Sequence, residues 1–265
     1  MSKRGAALFL LAGIAQGATV DTALFHNLEP RNIGPAIMGG RIADIEGVPG
    51  NPAIVYVATG AGGLWKTVNA GTTWTPIFDN EPVISIGALA LDPHNSDVVW
   101  VGTGEASARN SISFGDGIYK SLDGGKTWRN LGLHDTRNIS RIVINPLNTD
   151  MVYATALGHN SGPNEERGVF MTTDGGEHWK KALYIDEHHG GADMDINPAN
   201  PNIVFATMWR FERRPWKFVS GDDAGGLFRS SDGGVTWKKI TEGLPKTFGR
   251  MGVKVAAGNP KVVYV

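Results

Sequence analysis

One eight-residue box constrains the fold of this chain more than any other feature, because it recurs. Ser121-Leu122-Asp123-Gly124-Gly125-Lys126-Thr127-Trp128 is preceded by Thr67–Trp74, with Asn69 in the Asp place, and followed by Thr172–Trp179 and Ser230–Trp237. The starts are 54, 51 and 58 residues apart. Near-fixed spacing means that one supersecondary unit is repeated and stacked, so the repeat is settled before any local assignment.

Each box lies between two short β-prone runs, as Gly117-Ile118-Tyr119-Lys120 and Arg129-Asn130-Leu131 show for the second copy. The box therefore reads as a hairpin turn. Its Asp or Asn accepts hydrogen bonds from the turn's own N–H groups, its Gly supplies positive φ, and its Trp returns the chain to the sheet with a large surface to bury. The box residues Asn69, Trp74, Asp123, Trp128, Asp174, Trp179, Asp232 and Trp237 are structural in this reading, since a carboxylate fixed by its own turn makes a poor catalyst.

A second repeat interleaves with the first. An Asn introduces an apolar strand five times, from Asn51-Pro52-Ala53-Ile54-Val55-Tyr56-Val57 to Asn259-Pro260-Lys261-Val262-Val263-Tyr264-Val265. One more strand precedes each, for example Ile86–Leu91 and Ile139–Ile144. Four short strands in about 50 residues, joined by Gly, Pro, Asn and Asp turns, predict an all-β chain of four-stranded antiparallel propeller blades. The blades run over about 41–78, 85–131, 139–183 and 191–240, with a partial fifth over 249–265 that stops in mid-strand. The expectation is a truncated propeller whose remaining blades follow Val265. Gly makes up 36 of the 265 residues, as so turn-rich a fold requires.

Residues 1–17 read as a signal peptide: Lys3 and Arg4, a short apolar core from Gly5 to Ala15, and small residues in Ala15-Gln16-Gly17. Residues 18–40 form an N-terminal segment in which His26-Asn27-Leu28 suits an outer strand closing the last blade. With no Cys, the exported chain suits a bacterial periplasm or exterior, and no later run is apolar enough for a membrane helix. A net charge of -1 without a basic stripe excludes a nucleic-acid binder.

Box turns and Asn turns share one face of the blades. The links from second to third strand, and from blade to blade, share the other, and irregular loops on a rigid scaffold are where binding concentrates. Those links gather Arg109, His134, Arg137, His159, Glu165, Glu166, Arg167, His188, His189, Trp209, Arg210, Arg213, Arg214 and Trp216. Arg109, His159, Arg167, Trp209, Arg210, Arg213 and Trp216 are the candidate ligand contacts, and 209–223 is the longest of these loops. Trp and Arg there suit stacking on a sugar or aromatic face together with anion binding. Trp209 has a competing reading, as an extension of the second strand into the core between blades. His188-His189 points its rings to opposite faces of a strand, so no metal is expected, and no cofactor. Glu105 and Asp116 are the candidates for an acid/base pair, which would need a separation of roughly 5–10 Å.

The box resembles the BNR or Asp-box repeat of sialidases, sortilin-type (Vps10) receptors, xyloglucanases and the photosystem II assembly factor. Ile33-Gly34-Pro35, Gly39-Gly40-Arg41-Ile42, Gly102-Thr103-Gly104-Glu105, Gly115-Asp116-Gly117, Leu157-Gly158-His159 and Pro163–Val169 are similar to large bacterial exported proteins that carry a sortilin N-terminal-like propeller, often labelled glycosyl hydrolases. The resemblance implies either a module that binds protein, peptide or glycan, or a fragment of a glycoside hydrolase. Arg31-Asn32-Ile33-Gly34-Pro35 is not the sialidase Arg-Ile-Pro motif. Xyloglucanases carry a catalytic Asp in a Thr-Asp-x-Gly-Gly setting, and here Thr59-Gly60-Ala61-Gly62-Gly63 puts Gly60 in its place.

Overall fold

A computed structural model describes residues 41–107, 109 and 111–265. The expected signal segment (1–17) and closing segment (18–40) lie outside the described residues. The described chain is a β-propeller of four-stranded antiparallel blades. Blade one is β1 (Ile42–Gly47), β2 (Val55–Thr59), β3 (Leu64–Thr67) and β4 (Thr75–Pro76). Blade two is β5 (Ile86–Leu91), β6 (Val99–Thr103), β7 (Ile118–Ser121) and β8 (Arg129–Asn130). Blade three is β9 (Ile139–Ile144), β10 (Val152–Ala156), β11 (Gly168–Thr172) and β12 (Lys180–Leu183). Blade four is β13 (His189–Ile196), β14 (Val204–Arg214), β16 (Gly226–Ser230) and β17 (Lys238–Ile240), with β15 (Lys217–Ser220) paired to the far end of β14. A two-stranded sheet, β18 (Lys254–Val255) with β19 (Val263–Tyr264), follows. The helix among the described residues is one three-residue 3-10 turn, His134–Thr136.

The four innermost strands carry the same irregularity. Register slips by one residue at Ala43, Gly87, Ser140 and Ala192, a bulge near the start of each strand. All four residues are small because the next blade comes close. A Cβ on Gly87 would lie 2.1 Å from the carbonyl oxygen of Ile139, and Ser140 donates its hydroxyl to Gly191 O at 2.6 Å. The bulges thus set the distance between blades.

The box is a turn, as its composition requires. Asp123 Oδ1 accepts from the N–H groups of Lys126 and Thr127, and Oδ2 accepts from Thr127 Oγ1 at 2.6 Å. Buried Ser121 donates to Asp123 Oδ1 and accepts from Gly125 N at 2.8 Å. Two successive glycines, at φ 71° and 90°, make the reversal. In the first box Ala70 holds the first of these positions at φ 55°. Asn69 imitates the Asp by accepting from Thr73 N and donating from Nδ2 to Thr73 Oγ1. The Asn repeat has an equally local cause: the Oδ1 atoms of Asn51, Asn95, Asn148, Asn200 and Asn259 each accept the N–H two residues on.

The box also does something that its internal logic does not reveal: it clasps the preceding blade. Tyr56 OH and Lys66 Nζ of blade one donate to Gly124 O in the box of blade two, the lysine at 2.8 Å. Lys120 of blade two donates to Gly175 O of blade three while lying over the Trp100 ring, and Tyr153 of blade three donates to Gly233 O of blade four. The indoles of Trp128 and Trp179 return the contact, donating to Ile77 O and Leu131 O of the blade before at 2.7 and 2.9 Å. The expectation that the box Trp has a large surface to bury holds in part, since Trp128, Trp179 and Trp237 pack against the core clusters and Trp74 does not. Trp128, Trp179 and Trp237 are half-buried and Trp74 is exposed: the first two reach back to the preceding blade, while Trp237 donates to Gly234 O of its own turn. The deeply buried indoles are those of Trp100 and Trp209.

Candidate functional site

The links form one continuous surface opposite the boxes. Backbone bonds tie them together: Gly104 N to Ser85 O and Leu157 N to Asn138 O extend the inner ladders of blades two and three, and Gly115 N to Arg137 O, Asn164 N to Glu187 O and Arg213 N to Asn160 O join one link to the next, all between 2.7 and 3.0 Å. Function on this face therefore stands on a braced platform rather than on free loops.

The expected 209–223 loop is a hairpin. β14 runs on to Arg214, turns at Pro215-Trp216 and returns as β15, with Arg214 opposite Lys217 and Phe211 opposite Ser220. Alternation along the strand sorts its side chains. Trp209 and Phe211 point inward, stacked at 4.6 Å, and Trp209 Nε1 donates to Ser220 Oγ. The ligand-contact reading of Trp209 gives way to the core reading, since the indole is 2 % exposed. Arg210 faces outward toward Asp222 at 3.3 Å. Trp216, on the turn, is 79 % exposed, and Arg213 lies over the half-exposed Phe218 ring at 4.8 Å.

Arg167 is likewise corrected. It is wholly buried, and its guanidinium donates to four carbonyls: His159 and Gly162 in its own link, His188 in the next, and Phe211 in the hairpin. Burial pushes it down to about 10. It braces the platform and offers nothing to a ligand. His159 is half-buried, with Nε2 3.0 Å from Asp135, which also sits 3.6 Å from Arg137. Arg109 is exposed.

The two candidate carboxylates are already engaged. Glu105 is 1 % exposed and pairs both oxygens with Arg41 Nε and Nη2. Asp116 accepts from Tyr119 OH at 2.8 Å and sits 2.6 Å from His134 Nδ1. Burial pushes the Tyr119 hydroxyl up to about 12. A Cβ on Gly60 would lie 3.1 Å from the Glu105 carboxyl carbon, so the Glu105–Arg41 pair fills the space ahead of Gly60.

Two features escaped the sequence reading. Exposed rings in the links recur with cations beside them, Phe114 under Arg137 at 5.2 Å and Tyr184 under Lys181 at 4.4 Å, which isolated aromatics in polar links could have signalled. The innermost strands also line two cavities. One of about 390 Å³ has Arg141, Asp193 and Arg250 in its wall, and one of about 320 Å³ has Glu46, Arg141, Asp195 and Lys254. Arg141 stands between Asp44 and Asp193, 3.7 and 3.8 Å away. Burial, then Asp44, pushes the Glu46 carboxyl up. These contacts need the blades' relative rotation, which no local motif encodes.

Residues 116–250 match the Sortilin-Vps10 family, described as sortilin, neurotensin receptor 3. The chain belongs to that family. It is 29 % identical over 264 residues to the xyloglucanase Xgh74A of Acetivibrio thermocellus, covering 88 % of this chain and 29 % of the relative. A Paenibacillus xyloglucanase is 24 % identical, covering 79 % of this chain and 22 % of the relative. The chain thus spans less than a third of the length of the curated relatives it matches. Among solved structures it is similar to an ancestral GH74 enzyme, with a TM-score of 0.62 and 20 % identity over 86 % of this chain and 29 % of that one. The Niastella koreensis GH74 enzyme gives a TM-score of 0.54 and 23 % identity over 73 % and 28 %. Both likenesses are of fold.

Proposed function

We propose that the chain is an exported binding propeller that takes a glycan on its link face through aromatic rings edged by cations. The exposure of Trp216 at the tip of a braced hairpin, with Phe218, Phe114 and Tyr184 open on the same face, carries this reading. Single exposed apolar side chains are ordinary, but several flat rings on one rigid face, with Phe114, Tyr184 and Phe218 each beside a guanidinium or ammonium, suit the apolar faces and hydroxyls of a sugar. Xyloglucan is the first glycan to try, because the curated relatives are named for acting on it. The signal-like residues 1–17 support a periplasmic or extracellular setting. No helix among the described residues is long and apolar enough to cross a membrane.

A glycoside hydrolase fragment is the second reading, favoured by the same relatives. Against it stand Gly60 in the place of the xyloglucanase Asp, and Glu105 locked to Arg41 beside it. Calorimetry with xyloglucan oligosaccharides, run alongside a reducing-end assay on the polymer, separates the two. Binding without release of reducing ends, weakened by Trp216→Ala and Arg213→Ala, is the expected result. Turnover of xyloglucan by this chain, or binding indifferent to both substitutions, contradicts it.

A further inference from the structure

His189 opens β13 at the root of the hairpin and is 2 % exposed. Its Nδ1 lies 2.7 Å from Asp186 Oδ1, in the link from blade three, and its Nε2 lies 2.9 Å from Asp222 Oδ1, just past β15. A neutral imidazole has one N–H and one lone pair. Against two carboxylates, the lone pair of this buried ring would face an oxygen lone pair. Only a ring that donates from both nitrogens satisfies both partners.

We infer that His189 is held as an imidazolium that pins the hairpin root, and that loss of its second proton to solvent frees the hairpin. As regulation of ligand binding this rests on the reading that the hairpin recognises the ligand. The pin itself does not.

The surroundings are built for a cation. Asp222 Oδ1 also accepts from the N–H groups of Ala224 and Gly225, and its Oδ2 accepts from Arg210. Asp186 Oδ1 also accepts from the N–H groups of His188 and His189. Burial works against the Asp222 charge, but His189 and those N–H groups outweigh it and bring the carboxyl down to about 2. Asp186 is lowered in the same way, against its own burial. The other charged groups packed nearby have partners of their own. His188 is 3.6 Å from Glu187, Arg167 donates to His188 O and Phe211 O, and Lys239 donates to the main chain of Asp223. Deprotonation of the ring turns one charge-assisted bond into a repulsive contact. The segment that moves most cheaply is the one Asp222 anchors, the return from β15 to β16.

Two measurements on the whole chain test this. Long-range ¹H–¹⁵N correlation at pH 5.5 should show both His189 ring nitrogens protonated, and Asp222→Asn should change the Nε2 signal alone. Hydrogen exchange of 211–220, corrected for intrinsic rates, should then lose protection about tenfold or more once raised pH removes the second ring proton, while the β9–β10 pair stays protected. His189→Gln, neutral at every pH, should abolish the pH dependence. A His189 ring with one bare nitrogen at pH 5.5 overturns the pin. Hairpin protection that stays flat through the titration overturns the release. If Trp216→Ala leaves glycan binding unchanged while both measurements come out as expected, the ligand reading fails and the pin stands.

Discussion

The two faces of the propeller solve the same problem, joining one strand to the next, in opposite ways. On the box face the boxes of blades two to four are each satisfied from within and then clasp the blade before, through Asp123, Asp174 and Asp232 within and Tyr56, Trp100 and Tyr153 across. On the link face no two links are alike. Their order comes from buried polar side chains, Arg167 on four carbonyls and His189 between two carboxylates, and several of their rings stay exposed. Repetition marks where the chain is built, and departure from it marks where the chain has something left to offer.

Substitutions that remove one face's support sharpen the contrast. Arg167→Met should have the largest effect, because it strands four buried carbonyls and unties two links from the hairpin. A loss of about 3–5 kcal/mol is expected in urea unfolding. Gly87→Ala comes next. Its Cβ would sit inside the contact with Ile139 O, and the forced separation of blades two and three should cost about 1–3 kcal/mol by the same measurement. Ser121→Ala removes a buried hydroxyl that both donates and accepts within one box, for about 1–2 kcal/mol.

Acid tests the box turns without mutation. The box carboxyl groups of Asp123 and Asp174 lie well below the ordinary value, held mainly by the hydroxyl, imidazole and N–H groups of their own turns, and Asp232 lies at about 2. A depressed carboxyl contributes stability that is complete above its ordinary value near 4 and is lost as pH falls through the folded value. Melting temperature should therefore hold down to about pH 4 and fall steeply toward pH 2. Asp232→Asn should flatten part of that fall. The smallest effect belongs to the one imperfect box: Ala70→Gly relieves a left-handed alanine, and the greater freedom of glycine in the unfolded chain offsets part of it. A net gain of about 0–1 kcal/mol is expected.

The box face was legible in the sequence because its causes are local. An Asp, two glycines and a Trp at fixed offsets dictate a turn, and an Asn dictates the next. The clasps were not legible, since the lysine and aromatic that reach Gly124 lie 58 and 68 residues away in sequence. On the link face the alternation in Met208-Trp209-Arg210-Phe211-Glu212-Arg213-Arg214 was there to be read as a strand. Charged residues on the outward positions made it look like a loop. Arg167 looked like a ligand contact for the same reason: sequence shows that a residue carries charge, and only the packing shows whether backbone carbonyls have already taken it.

The most direct test of the division of labour is one pair of titrations and one pair of melts, on Trp216→Ala and Asp123→Ala, with xyloglucan oligosaccharide as ligand. Trp216→Ala should weaken binding tenfold or more, about 1.4 kcal/mol, with an unchanged melting temperature. Asp123→Ala should lower the melting temperature and leave the Kd of the folded fraction as it was. If Asp123→Ala weakens binding in the folded protein, or Trp216→Ala lowers stability and spares affinity, the faces do not divide construction from recognition and the account is wrong.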